Sequence, residues 1–133
     1  MFLNKKMIYS KTRSLVWSLI LAICSVIMFS CSDSSIHPVQ LTCEYDANAF
    51  IDIQNPRLSW INENVKQTPG AGQSAYQIRV SLNATDFSMP VWDSGKILSD
   101  KSAFIEYEGT PLKSRTTYFW QVKVWDEQGN ESD

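Results

Sequence analysis

The feature that most constrains the fold is a chain of short apolar runs cut by turn residues. Proline and glycine stand at Pro56, Pro69, Gly70, Gly72, Pro90, Gly95, Gly109, Pro111 and Gly129. The runs between them are rich in β-branched and aromatic residues, the composition of strands. Six strands are predicted: Leu41–Tyr45, Arg57–Ile61, Ala75–Leu82, Val91–Trp92 continued by Lys96–Leu98, Ala103–Glu108, and Thr116–Asp126. Two of them alternate cleanly. Tyr76, Ile78 and Val80 share one face, with Gln77, Arg79 and Ser81 on the other. Tyr118, Trp120, Val122 and Val124 share a face, opposed by Phe119, Gln121, Lys123 and Trp125. A period of two places one face of each strand on a core. Short strands without an intervening helical pattern predict an all-β sandwich or barrel.

The first 30 residues follow different rules. Lys5, Lys6, Lys11 and Arg13 precede an apolar run from Leu15 to Phe29, and no acidic residue occurs among them. A bilayer-spanning helix needs roughly 20 apolar residues, so this run is short for a span and suits a secretory leader. It ends at Ser30-Cys31 and continues Ser32-Asp33-Ser34-Ser35. A small residue before Cys, followed by a polar stretch, resembles the lipobox of bacterial lipoproteins, with Met28 and Phe29 bulkier than its usual residues. The resemblance implies cleavage before Cys31 and a diacylglycerol on its thiol. Several acyl chains hold a protein stably at a membrane, whereas one does not. The expected organisation is a leader at 1–30, a polar tether at 31–39, and the sandwich at 40–133. The expected location is the cell envelope, as an outer-membrane lipoprotein. A plain signal peptide and an uncleaved anchor remain alternatives.

Without the leader, 8 basic residues face 14 acidic ones. An acidic body does not supply the positive field that nucleic acid requires. With Cys24 in the leader and Cys31 acylated, Cys43 has no disulfide partner and reads as a small buried hydrophobe. Glu44, Asp93 and Asp126 sit at strand ends or turns, where carboxylates cap backbone N–H groups. His37, the lone histidine, falls in the tether. No zinc pattern, calcium loop or phosphate-binding loop is present in the sequence, and no cofactor is expected.

Leu58-Ser59-Trp60 resembles the second strand of a fibronectin type III domain, in which an inward Trp fills the centre. Leu112, Thr116 and Tyr118 resemble its tyrosine corner, where a Tyr hydroxyl bonds upstream backbone. Trp60, Tyr76, Tyr118 and Trp120 are therefore expected in the core. Trp92, Phe119 and Trp125 are left to dock a neighbouring domain, to cover local surface, or to stack on sugar rings. Docking or local cover is the favoured reading, because sugar platforms add convergent polar groups that the sequence does not reveal. Glu127-Gln128-Gly129-Asn130 reads as a turn after the sixth strand, and the seventh strand of that fold is expected to be missing.

The strings LTCEY (41–45), NPRLSW (55–60), AYQIRV (75–80), VWDSGK (91–96) and YEGTPLKSRTTYFWQVKVWD (107–126) together resemble the N-terminal domain of bacterial α-L-rhamnosidases of glycoside hydrolase family 78. The resemblance implies a fibronectin-like module at the head of a long multi-domain chain. It implies that the chemistry sits on a distant (α/α)6 barrel. Inverting hydrolysis there needs two carboxyl groups roughly 6.5–9.5 Å apart, and no residue of this chain corresponds to them. The implied partners are the downstream domains, a membrane through the anchor, and rhamnose-containing glycans. A stand-alone sugar-binding or adhesion module, and the head of a different hydrolase, are the competing readings.

Overall fold

The structure, a computed structural model, describes residues 33–132. The leader and Cys31 lie outside the described residues. Seven strands follow in order: β1 (Ile36–Cys43), β2 (Arg57–Asn64), β3 (Gln73–Ser81), β4 (Trp92–Asp93), β5 (Ile97–Leu98), β6 (Ile105–Glu106) and β7 (Phe119–Asp126). One antiparallel sheet has the order β1-β2-β6. In the other, β7 lines the whole of one edge of β3, from Ser81 opposite Phe119 to Gln73 opposite Asp126. The opposite edge of β3 is therefore shared. β4 pairs with it at Arg79 and Val80, and β5 at Ala75 and Tyr76. They are two halves of one edge strand, interrupted where Gly95 adopts a φ of +64°. The result is an immunoglobulin-like sandwich of fibronectin type III kind.

The alternation explains the layers. Tyr76, Ile78 and Val80 of β3 and Val122 and Val124 of β7 are buried against Leu58 and Trp60 of β2 and Ile36 and Cys43 of β1. Each such side chain contributes about 1.5–3 kcal/mol through removal from water. The Trp60 and Tyr76 rings meet edge to face, centroids 5.4 Å apart. The Trp60 indole N–H donates to Gln73 Oε1 at 3.1 Å. Gln73 in turn donates from Nε2 to the carbonyls of Ser99 and Lys101. One side chain thus joins both sheets and the loop above β5, and the buried indole N–H keeps the partner it needs.

Two expectations need correction. The tether does not reach residue 39: β1 begins at Ile36, and Ser34 and Ser35 are buried. A serine-rich segment can fold inward because its polar atoms find partners, Ser34 N–H on the Glu131 carbonyl and Ser35 on Asp126. The first strand also ends earlier than predicted, because Glu44 and Tyr45 form a tight turn. Cys43 and Asp46 exchange backbone hydrogen bonds at 2.8 and 3.0 Å across it. Among the described residues no strand follows β7, and its outer edge is met only at one end. Glu131 bridges Trp125, and Ser132 donates its N–H to the Val124 carbonyl at 2.8 Å. The chain after the Glu127–Asn130 turn thus starts down the edge where the seventh strand of this fold belongs.

Candidate functional site

The carboxylates singled out in the sequence are held by backbone and neighbours. Asp126 is 1% exposed. Its Oδ1 accepts from the N–H groups of Gln128 and Asn130, at 3.0 and 2.9 Å, which shapes the turn after β7. Its Oδ2 accepts from Ser35 N and Oγ, at 3.0 and 3.2 Å, and from Asn130 Nδ2. Burial alone would push its carboxyl pKa up, but the hydrogen bonds from Ser35 and Asn130 outweigh it and hold the value below the ordinary range. The turn-capping half of this arrangement was visible in the sequence. The clasp onto Ser35, 91 residues away, was not.

Asp93 behaves similarly. Burial raises its pKa, and hydrogen bonds from Gln77, Gly95 and Arg79 more than reverse that. Its Oδ1 caps Gly95 N–H at 2.8 Å in the break between β4 and β5. Glu44 accepts from Arg57 through backbone N–H and guanidinium, at 2.6 Å and at 3.2 and 2.8 Å. The guanidinium hydrogen bond is the main cause that holds the Glu44 pKa low, followed by the Arg57 backbone bond. His37 lies in β1 opposite Glu63, not in a tether. Among the described residues no group of three or more His, Cys, Asp or Glu side chains stands close enough to hold a metal ion.

The aromatics divide differently from the sequence reading. Trp60 and Tyr76 are buried as expected, while Tyr118 and Trp120 are half-buried and pack against the core. Tyr118 does form the corner: its hydroxyl accepts from the Lys113 N–H at 3.0 Å. Trp125, expected on an outer face, is only 9% exposed. The Lys96 ammonium sits 4.2 Å from its ring centroid, reaching across from the break between β4 and β5. Such a cation over the ring covers the indole face. Trp92 packs its ring against Tyr107, centroids 4.9 Å apart. Tyr107 itself is buried, and its hydroxyl donates to the Thr110 carbonyl at 2.8 Å. Trp92 and Trp125 are therefore engaged by this chain, and Phe119 alone of the three is an exposed ring.

A second aromatic cluster had no signal of period or motif. Glu44 and Tyr45 both have positive φ, 47° and 72°, the arrangement of a tight hairpin turn that normally selects Asn-Gly. A bulky residue there is uncommon. The Arg57 guanidinium lies 5.4 Å from the Tyr45 ring centroid and 5.7 Å from that of Phe104, which is itself at φ 56°. The salt bridge to Glu44 thus fixes a cation under two aromatic rings. Tyr45 nevertheless remains 72% exposed.

With this geometry in view, residues 38–133 match the family described as Rha78A-like, N-terminal immunoglobulin domain. This chain belongs to that family. The Rha78A-like module is 51% identical over 84 residues to an alpha-L-rhamnosidase of Streptomyces avermitilis, covering 62% of this chain and 8% of that protein. The chain is 38% identical over 134 aligned residues to an alpha-L-rhamnosidase of Formosa agariphila, covering 92% of this chain and 13% of that one. The Streptomyces avermitilis alpha-L-rhamnosidase solved in complex with L-rhamnose superimposes with a TM-score of 0.69 at 45% identity, over 74% of this chain and 10% of that structure. The alpha-L-rhamnosidase of Dictyoglumus thermophilum also gives 0.69, at 36% identity, over 77% of this chain and 12% of its own. The Rha78A-like module thus spans only about a tenth of the length of these relatives.

Proposed function

We propose that this chain is the non-catalytic N-terminal module of a lipid-anchored α-L-rhamnosidase, serving as spacer and scaffold for downstream domains that hydrolyse terminal α-L-rhamnose. The observation that carries the reading is the family match across the sandwich, at a place and length that is a small N-terminal part of proteins named alpha-L-rhamnosidase. The electrostatics agree. A glycosidic general acid needs a raised carboxyl pKa. The described carboxylates with a resolved shift, Glu44, Asp86, Asp93 and Asp126, are all shifted down. They are held ionised as hydrogen-bond acceptors. Anchoring rests on the leader and on Cys31 followed by a polar stretch. It assigns the protein to the cell envelope as an outer-membrane lipoprotein.

The test is release of rhamnose from an aryl α-L-rhamnoside. The polypeptide carrying this module and its continuation hydrolyses it, and the module alone does not. Release by the module alone, or a continued polypeptide that cleaves other glycosides and not rhamnosides, overturns the assignment. For the anchor, Cys31→Ala removes the protein from the detergent phase on partitioning. Unchanged partitioning of that variant overturns acylation at this residue.

A further inference from the structure

The sandwich has two unlike ends. The upper end carries Ile36, Asn64, Gln73 and Asp126, and the lower end Cys43, Arg57, Ser81 and Phe119, as the strand registers dictate. Exposed large apolar side chains are not spread evenly between them. Of the thirteen among the described residues, nine belong to the lower end. Four lie between Tyr45 and Ile53 in the loop joining β1 to β2, and three between Leu82 and Val91 in the connection from β3 to β4. Phe104 and Phe119 complete the set. Phe50 is fully exposed. Single exposed apolar residues are ordinary, but their concentration on the loops at one end of a domain suits a contact surface.

The course of the chain says what the contact is. Glu131 and Ser132 pair antiparallel with Trp125 and Val124, so this segment starts at the upper end and heads down β7 toward Phe119. A continuing strand in that register leaves the sandwich at its lower end. There the next part of a polypeptide some ten times longer, as in the matched relatives, comes first against the apolar loops. We infer that the lower end, built on Tyr45, Phe50, Ile53 and Met89, is the docking surface for the domain that follows in the same rhamnosidase chain. The inference rests on the proposed function above and moves docking away from Trp92 and Trp125, which are already covered. The fixed Tyr45 turn suits this role: an aromatic is held out to solvent in an unfavourable backbone conformation by the Glu44–Arg57 bridge. Strain of that kind persists where the surroundings and a use hold it. A contact between domains of one chain buries roughly 600–1,500 Å2, a size that two loops at the end of a sandwich can supply.

The test compares two proteins by amide hydrogen exchange. One is the compact unit Ser32–Asp133 alone. The other carries it in place of the equivalent domain of the Streptomyces avermitilis alpha-L-rhamnosidase. Amides of residues 45–55 and 82–91 exchange at least about tenfold more slowly in the joined protein, while those of residues 65–72 at the upper end do not change. Phe50→Asp and Met89→Asp remove that slowing and leave exchange in β3 and β7 as it was, which shows that the sandwich remains folded. Equal exchange of both loops in a joined protein that still hydrolyses an aryl α-L-rhamnoside overturns the docking surface and spares the proposed function. A joined protein that neither folds stably nor hydrolyses overturns both. Slowing in the isolated unit on raising its concentration assigns the surface to a second copy, and slowing on adding L-rhamnose assigns it to sugar. Either result overturns the inference.

Discussion

Replacing Asp126 with Asn removes one charge and turns one of two fully engaged oxygens into an NH2 group. Whichever way the amide settles, donors face a donor. Either the buried Ser35 N–H loses its acceptor, or the N–H groups of Gln128 and Asn130 in the turn lose theirs. A hydrogen bond to a charged group contributes about 1.5–3 kcal/mol, and a buried donor left unpaired costs about 1–3 kcal/mol. A loss of about 3 kcal/mol at neutral pH follows. A domain of this size has a total stability of about 5–15 kcal/mol, and such a loss lowers Tm by about 12–24 °C. The pH dependence separates this cause from a general packing defect. The Asp126 pKa is lowered in the folded protein. Its contribution is therefore complete above the unfolded value of about 3.9 and is lost as pH falls through the folded one. Urea unfolding of Asp126→Asn and of the parent should differ most at pH 7 and converge as pH falls through the lowered folded value. Equal stability at pH 7, or a gap that stays constant into acid, refutes the reasoning.

Other sites give simpler outcomes. Trp60→Ala leaves a cavity at the centre and removes one of the two donors to Gln73 Oε1, and should cost about 3–5 kcal/mol in chemical denaturation. At Gly109 an added Cβ would overlap the Tyr107 hydroxyl and lie 2.8 Å from the Trp92 Cβ. Gly109→Ala should therefore cost about 1–3 kcal/mol, with loss of the near-UV dichroism of the Trp92–Tyr107 pair as its signature. Burial first, and the Glu44 charge second, push the Cys43 thiol up to about 11. At about pH 8 iodoacetamide should leave Cys43 unmodified in the folded protein and alkylate it in urea, because only the thiolate reacts. Alkylation at equal rates in both would refute that environment.

The central pair of strands was legible because it is the part in which one face alone is buried. Tyr76, Ile78, Val80, Val122 and Val124 carry the period of two directly. The same logic failed at Trp125. Alternation says which way a side chain points and nothing about what crosses over it, and Lys96 comes from the break between β4 and β5. Tyr107 was missed because it is buried from a loop, where no period exists, and is held by a hydroxyl bond and by Trp92. Ser34 and Ser35 look solvated by composition, yet distant partners satisfy their polar atoms. The Tyr45–Arg57–Phe104 cluster joins residues from three segments, two of them with positive φ. Neither local propensity nor spacing encodes that encounter.

The clasp between Ser35 and Asp126 also has a mechanical meaning. A pull on the chain ahead of Ser34 runs along β1, whose bonds to β2 lie side by side across the direction of tension. They are loaded together in shear and are not peeled open one after another. The clasp stands at the entry point and passes part of the force to β7 in the other sheet. In the proposed role, a module tethered ahead of Ser34 and continued past Ser132 is a link under tension, and these strands carry that tension lengthwise.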